Sequence, residues 1–124
     1  MKRILVVEDN PDNMYVMDRI LRHAGYEVAQ ATQAEDALKM IASQREVVDL
    51  VLMDMQMPRL DGYTAVRAIR GMPPAGSVPI IAVTANTMPG DRDRALAAGC
   101  TDYVAKPINT RELLRLVAHY LGGA

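Results

Sequence analysis

Five short runs rich in apolar and β-branched residues, 3–7, 27–31, 49–54, 79–84 and 102–105, alternate along this chain with five stretches whose apolar residues recur at helical spacing. The links between them are short. Strands joined through helices pair in parallel, and the helices then cover both faces of the sheet. The run Leu50, Val51, Leu52, Met53 has no polar alternation, as a central strand covered on both faces requires. Pro79 stands first in its run, where a missing N–H is tolerated. The expectation is one α/β domain over residues 1–124, without linker, repeat or low-complexity segment.

Met17, Ile20, Leu21 and Ala24 place the first helix over about 12–24, and Gly25 closes it. Thr32-Gln33-Ala34-Glu35 has capping-box spacing ahead of Ala37, Leu38 and Ile41. Asp61 is a candidate cap for a third helix carrying Tyr63, Ala65, Val66 and Ile69, which Gly71 and Pro73-Pro74 end. The fourth, 90–98, is weakly amphipathic and rich in Asp and Arg, with Gly99 as its stop. Asn109, with Glu112 three residues on, opens the last, where Leu113, Leu116, Val117, Tyr120 and Leu121 make one apolar stripe.

Charge and composition narrow the function classes. Fourteen Lys and Arg against fifteen Asp and Glu leave a net charge of -1, so no overall basic field exists to bind nucleic acid. The longest apolar runs, such as 4–7, are far shorter than the ~20 residues a membrane helix needs. A single cysteine, Cys100, excludes an internal disulfide, and no secretory leader is visible, so a reducing cytoplasm is the expected compartment.

In an open parallel sheet ligands bind beyond the carboxyl ends of the strands. The residues that land there are Glu8 and Asp9 after the first strand, Asp54 after the third, Thr84 after the fourth and Lys106 after the fifth. Three carboxylates at one edge repel one another unless a cation stands among them. Oxygen donors without His or Cys suit Mg²⁺ better than zinc. Glu8-Asp9-Asn10-Pro11 presents negative charge where a nucleotide site would present glycine amides, so a nucleotide phosphate is repelled. A carboxylate beside Mg²⁺, with a hydroxyl and an ammonium opposite, is equipped to attack phosphorus and hold the phosphoryl oxygens, which makes Asp54 the candidate nucleophile. The short loops offer no base or pocket for turning over a small substrate.

Val6-Val7-Glu8-Asp9-Asn10, Leu52-Met53-Asp54-Met55-Gln56-Met57-Pro58 with Asp61-Gly62, Val83-Thr84-Ala85 and Tyr103-Val104-Ala105-Lys106-Pro107 together resemble the response-regulator receiver domain of two-component signalling, across essentially the whole chain. The resemblance implies a flavodoxin-like, doubly wound (βα)5 fold with five parallel strands in the order 2-1-3-4-5. It implies Asp54 as phosphoacceptor, and Mg²⁺ held by Asp9 and Asp54, by Glu8 mainly through water and by the Gln56 backbone carbonyl. Thr84 and Lys106 would contact the phosphoryl group, and Thr84 with Tyr103 would form the switch. Pro58, Gly62 and Pro107 would shape the loops, the Lys106–Pro107 bond being cis. Gln56 and Asn86 would stand at positions that tune phosphate lifetime. The implied donor is a histidine kinase or histidine phosphotransfer protein. The implied reader is an effector protein on the surface of the fourth helix, fifth strand and fifth helix.

Met1 lies two residues before the first strand and only Gly122-Gly123-Ala124 follow the last helix, so the expectation is a stand-alone regulator without an output domain. The alternatives are a receiver detached from a hybrid histidine kinase, which the Asp9-Asn10-Pro11-Asp12-Asn13 and Met53-to-Pro58 stretches also resemble, and a Mg²⁺-dependent phosphohydrolase working through an aspartyl-phosphate. Met53, Met55 and Met57 read as packing residues, His23 and His119 as surface residues, Cys100 as a small packed residue, and Arg92, Asp93 and Arg94 as a solvated helix face.

Overall fold

The uninterrupted apolar run becomes the middle of the molecule: in β3 (Leu50–Asp54) and in its neighbour β4 (Ile80–Thr84) every residue is buried. With β1 (Arg3–Val7), β2 (Glu27–Ala31) and β5 (Asp102–Ala105) they form one parallel sheet in the order β2-β1-β3-β4-β5, the order expected. The computed structural model describes residues 1–43, 45, 47–57, 60–72, 75–85 and 89–122. Pro58, Asn86 and Pro73-Pro74 lie outside them.

The helices are α1 (Pro11–His23), α2 (Ala34–Ser43), α3 (Gly62–Arg70), α4 (Asp91–Ala98) and α5 (Thr110–Leu121). Met14, Met17 and Leu21 of α1 and Leu113, Leu116 and Val117 of α5 pack on Ile4, Val6, Leu52 and Ile81. On the other face, α2, α3 and α4 set Ile41, Val66, Ile69 and Ala95 against Leu5, Val7, Val51 and Ile80. Alternate strand residues thus feed opposite cores. Each fully buried leucine or isoleucine contributes about 1.5–3 kcal/mol.

Side chains start three helices, Asp61 and Asn109 as the sequence predicts and Asn10 in a stretch expected to be a turn. Asn10 accepts from the backbone of Asp12 and Asn13, Asp61 from Thr64, and Asn109 from Glu112, at 2.8–3.0 Å. Because Asn10 is the cap, α1 begins at Pro11, the first helical position that favours proline. Helix α4 has no side-chain cap, lies between Gly90 (φ +91°) and Gly99 (φ +120°), and buries only Asp91, Ala95 and Ala98. Its weak amphipathicity therefore becomes a shallow anchorage.

Arg70, the last residue of α3, was not singled out by its sequence. Its guanidinium donates to the carbonyls of Gly99 (2.8 Å), Gly76 (3.1 Å) and Val78, and to the hydroxyl of Thr101 (3.1 Å). That hydroxyl also accepts from the Ile80 backbone at 3.0 Å, so one side chain ties the entry of β4 to the turn after α4. Arg70→Ala should cost about 2–3 kcal/mol. An unfolding midpoint in urea equal to the parent's would contradict this role.

Cys100 is 6% exposed, and burial pushes its thiol up to about 11, with nearby Arg70 partly opposing the shift. The folded thiol should resist alkylation at pH 8 and react only after unfolding, which labelling with and without denaturant measures. The stability linked to its neutral form is complete below pH 9 and is lost as pH rises through about 11.

Candidate functional site

Register places the strand ends together. Val7 pairs with Met53, Asp54 with Val83, and Thr84 with Ala105, so the residues that follow these pairs emerge at one edge of the sheet. The topology reverses between β1 and β3, which opens a crevice there. Glu8, at the mouth of β1, is fully buried, and Asp54 is 1% exposed, whereas Asp9 faces solvent.

Lys106 reaches back into this edge. Its Nζ stands 3.1 Å from Glu8 Oε1 and donates to Asp54 Oδ2 at 3.2 Å. Glu8 Oε2 accepts from the Asn10 backbone at 3.1 Å, while the buried Oε1 accepts no hydrogen bond and is compensated by the lysine's charge. Burial is the largest influence on Glu8 and pushes it up to about 7; the Asn10 N–H opposes this and Asp54 adds to it. For Lys106, burial acts to lower the pKa, but Glu8 and Asp54 together outweigh it and hold the ammonium above its ordinary value.

Carboxylate oxygens of Glu8, Asp9 and Asp54 lie within 4.8 Å of one another. Three carboxylates facing one ammonium are under-compensated, and the donor set is all oxygen with one buried acceptor lacking a hydrogen bond. A small hard divalent cation fits such a set.

The remaining predicted residues fall into two groups. Thr84 ends β4 at 2% exposure, and its carbonyl accepts from the Lys106 backbone at 2.8 Å. Gln56 is exposed; its N–H donates to Asp54 Oδ1 at 3.0 Å, and its Oε1 accepts from Ala85 N at 3.2 Å. Gly62 lies against Met55, and the Lys106–Pro107 bond is cis. Tyr103 stands apart from the acids, half-buried on β5 opposite Ala82 and packed on the core that faces α3 and α4. Burial, then Asp91 and Tyr63, raises its phenol pKa.

Asp91 escaped the sequence reading although it is 6% exposed. It occupies the first position of α4, where a carboxylate meets the helix dipole favourably, and Arg94 lies 3.9 Å from it and 4.5 Å over the Tyr63 ring. The available signal was the Gly-Asp step opening a helix with Arg three residues on.

Comparison with known proteins adds the following. A family model describing the response regulator receiver domain matches residues 4–118. The chain is 43% identical to the receiver domain of the sensor histidine kinase PA1611 of Pseudomonas aeruginosa PAO1, whose crystal structure has a magnesium ion coordinated in the active-site cleft; the TM-score is 0.89 and 98% of each chain is covered. It is 33% identical to the polar-differentiation response regulator DivK of Brucella anthropi, over 99% of this chain and 98% of DivK. It is 39% identical to sensor protein GacS of Pseudomonas syringae pv. syringae, where the match takes in 97% of this chain but only 13% of GacS.

Proposed function

The chain belongs to the response regulator receiver family of two-component signalling, and from that membership we propose that Asp54 accepts a phosphoryl group from a phosphohistidine and that the charge so acquired governs protein binding. The observation that carries this reading is Lys106 Nζ standing 3.1 Å from Glu8 and 3.2 Å from Asp54 within a buried acidic cluster. An Asp54 oxygen bonds to phosphorus as the P–N bond of the donor breaks, and the electron pair leaves with the imidazole. Lys106 offsets the negative charge of the arriving group, and the Thr84 hydroxyl donates to one of its oxygens. Glu8, Asp9, Asp54 and the Gln56 carbonyl are the groups that would hold Mg²⁺. Bound there, Mg²⁺ would supply positive charge to the phosphoryl oxygens.

The donor is a histidine kinase or a histidine phosphotransfer protein, and the working compartment is the cytoplasm. Among the described residues no helix is long and apolar enough to cross a membrane. Thr84 and Tyr103 pass the change to the surface of α4, β5 and α5, where a downstream effector protein binds; the shallow anchorage of α4 supports this. A complete shift of such a switch takes ~5.5 kcal/mol, so a partial, partner-assisted shift is the working expectation. Neither nucleic acid nor a membrane is needed as partner. The match over 98% of DivK supports a regulator made of this domain alone, and the match to 13% of GacS supports a domain attached to a sensor kinase; the genomic reading frame decides.

The test is intact-mass measurement after incubation with Mg²⁺ and a small acyl phosphate. One base-labile phosphate per chain is expected. Continuous release of phosphate from a phosphomonoester would instead establish a hydrolase. Lys106→Ala leaves two buried carboxylates facing each other, at a cost of about 1–3 kcal/mol without Mg²⁺. It should also blunt the effect of phosphorylation on kinase or effector affinity more than it weakens Mg²⁺ binding. Affinities that respond to phosphorylation as in the parent would contradict that role.

A further inference from the structure

Gln56 makes two contacts that its proposed part in metal binding, through the backbone carbonyl, does not use. Its N–H donates to Asp54 Oδ1 at 3.0 Å, and its side-chain Oε1 accepts from Ala85 N at 3.2 Å. Ala85 follows Thr84, and β4 lies beside β3 with Asp54 paired to Val83, so this amide emerges from the sheet at the edge where Asp54 ends its strand. One residue thus spans from the carboxylate to the first peptide N–H beyond β4. Gln56 and Ala85 lie 29 residues apart in the chain.

The carboxamide oxygen is a neutral acceptor. A phosphoryl group on Asp54 carries about -1.5 to -2 charges in place of the carboxylate's own -1 and brings three strong acceptor oxygens, and N–H groups that donate to charged oxygens form roughly doubly strong bonds. The carboxylate becomes an uncharged acyl group in a mixed anhydride, so either of its oxygens weakens as an acceptor for the Gln56 N–H. Both changes act against the resting arrangement of Gln56.

We propose that Gln56 is a positioning residue whose carboxamide clasps the Ala85 amide while Asp54 is unphosphorylated and releases it when the phosphoryl group arrives. The clasp rests on the two hydrogen bonds alone, and its release rests on Asp54 being the phosphoacceptor. The charge on Asp54 is thereby coupled to the chain that leaves β4 through Gln56 as well as through Thr84. Replacing the side chain removes the clasp and keeps the backbone carbonyl and N–H in place.

The test follows the Ala85 amide by NMR hydrogen exchange in the parent, Gln56→Ala and Gln56→Glu proteins. A hydrogen bond of ordinary net strength predicts Ala85 exchange about threefold to tenfold faster in Gln56→Ala, with the amides of β1 and β3 unchanged. Gln56→Glu retains an acceptor and should restore the slow rate, a rescue that a general loosening of the loop would not show. With Mg²⁺ and an acyl phosphate, the Ala85 difference between parent and Gln56→Ala should vanish in samples whose mass shows one added phosphate. Equal Ala85 exchange in the resting parent and Gln56→Ala would overturn the clasp. A difference that persists in the phosphorylated samples would overturn its release. Absence of any mass adduct on the parent would overturn the Asp54 reading and the release with it, while the resting comparison would still decide the clasp.

Discussion

Asp54→Asn should take up no phosphate from an acyl-phosphate donor under conditions that label the parent, and should stay folded. The amide has no anionic oxygen to attack phosphorus, so the loss is of the reaction itself. Stability changes through two opposed effects. The carboxylate accepts from the Gln56 N–H at Oδ1 and from Lys106 at Oδ2, and an amide can meet only one of these donors with its oxygen. Against that, Glu8 loses a like-charged neighbour that contributes to its raised pKa. The two nearly cancel, so the unfolding free energy should stay within about 1–2 kcal/mol of the parent. Intact mass and urea unfolding measure both quantities. A phosphate adduct on the variant would transfer the acceptor role to another residue.

Gly62→Ala, at the first position of α3, should be strongly damaging. A Cβ at Gly62 would stand 2.6 Å from Met55 Cα, 2.8 Å from Met55 Sδ and 2.9 Å from the carbonyl oxygen of Asp54. The sulfur can move, but the other two atoms belong to the backbone that leaves β3 and carries Asp54. Helix propensity favours alanine over glycine by about 1 kcal/mol, and this clash outweighs it. A net loss of about 2–4 kcal/mol is expected, with slower phosphorylation because the strain falls on the 54–55 peptide. Gly71→Ala is the control: its nearest contact would be an ordinary 3.6 Å, and a change below about 1 kcal/mol is expected. Equal urea midpoints for Gly62→Ala and the parent would mean that α3 does not approach β3 as described.

The elements were legible because their signals are local. Asn10, Asp61 and Asn109 cap the helices that follow them, and Gly25 and Gly99 close the helices before them with positive φ. Boundaries moved by a residue where pairing decided them: β3 begins at Leu50 and β4 at Ile80. Part of the site was legible for the same reason, since an acid directly after an apolar run must sit at a strand end. Arg70 was not, because its partners come from other elements, and Asp91 was not, because its burial is set by how α4 packs rather than by its neighbours in sequence. An arginine closing a helix, or an aspartate opening one, has the same sequence appearance whether it is solvated or buried.

Order along the chain therefore decided the strands, the helices, their caps and the type of residue at each strand end, since all of these follow from periodicity and from hydrogen bonds spanning a few residues. Three-dimensional packing alone decided which of two adjacent acids turns inward. Glu8 is fully buried and Asp9 exposed, although nothing in the pair itself separates them. It also decided that Lys106 lies against Asp54 across 52 residues, and that Gln56 reaches Ala85 across 29. Those contacts depend on β3 lying between β1 and β4 and on the register that aligns their ends. A parallel sheet brings together residues far apart in sequence, so the electrostatics of this edge arise only once the strands are side by side.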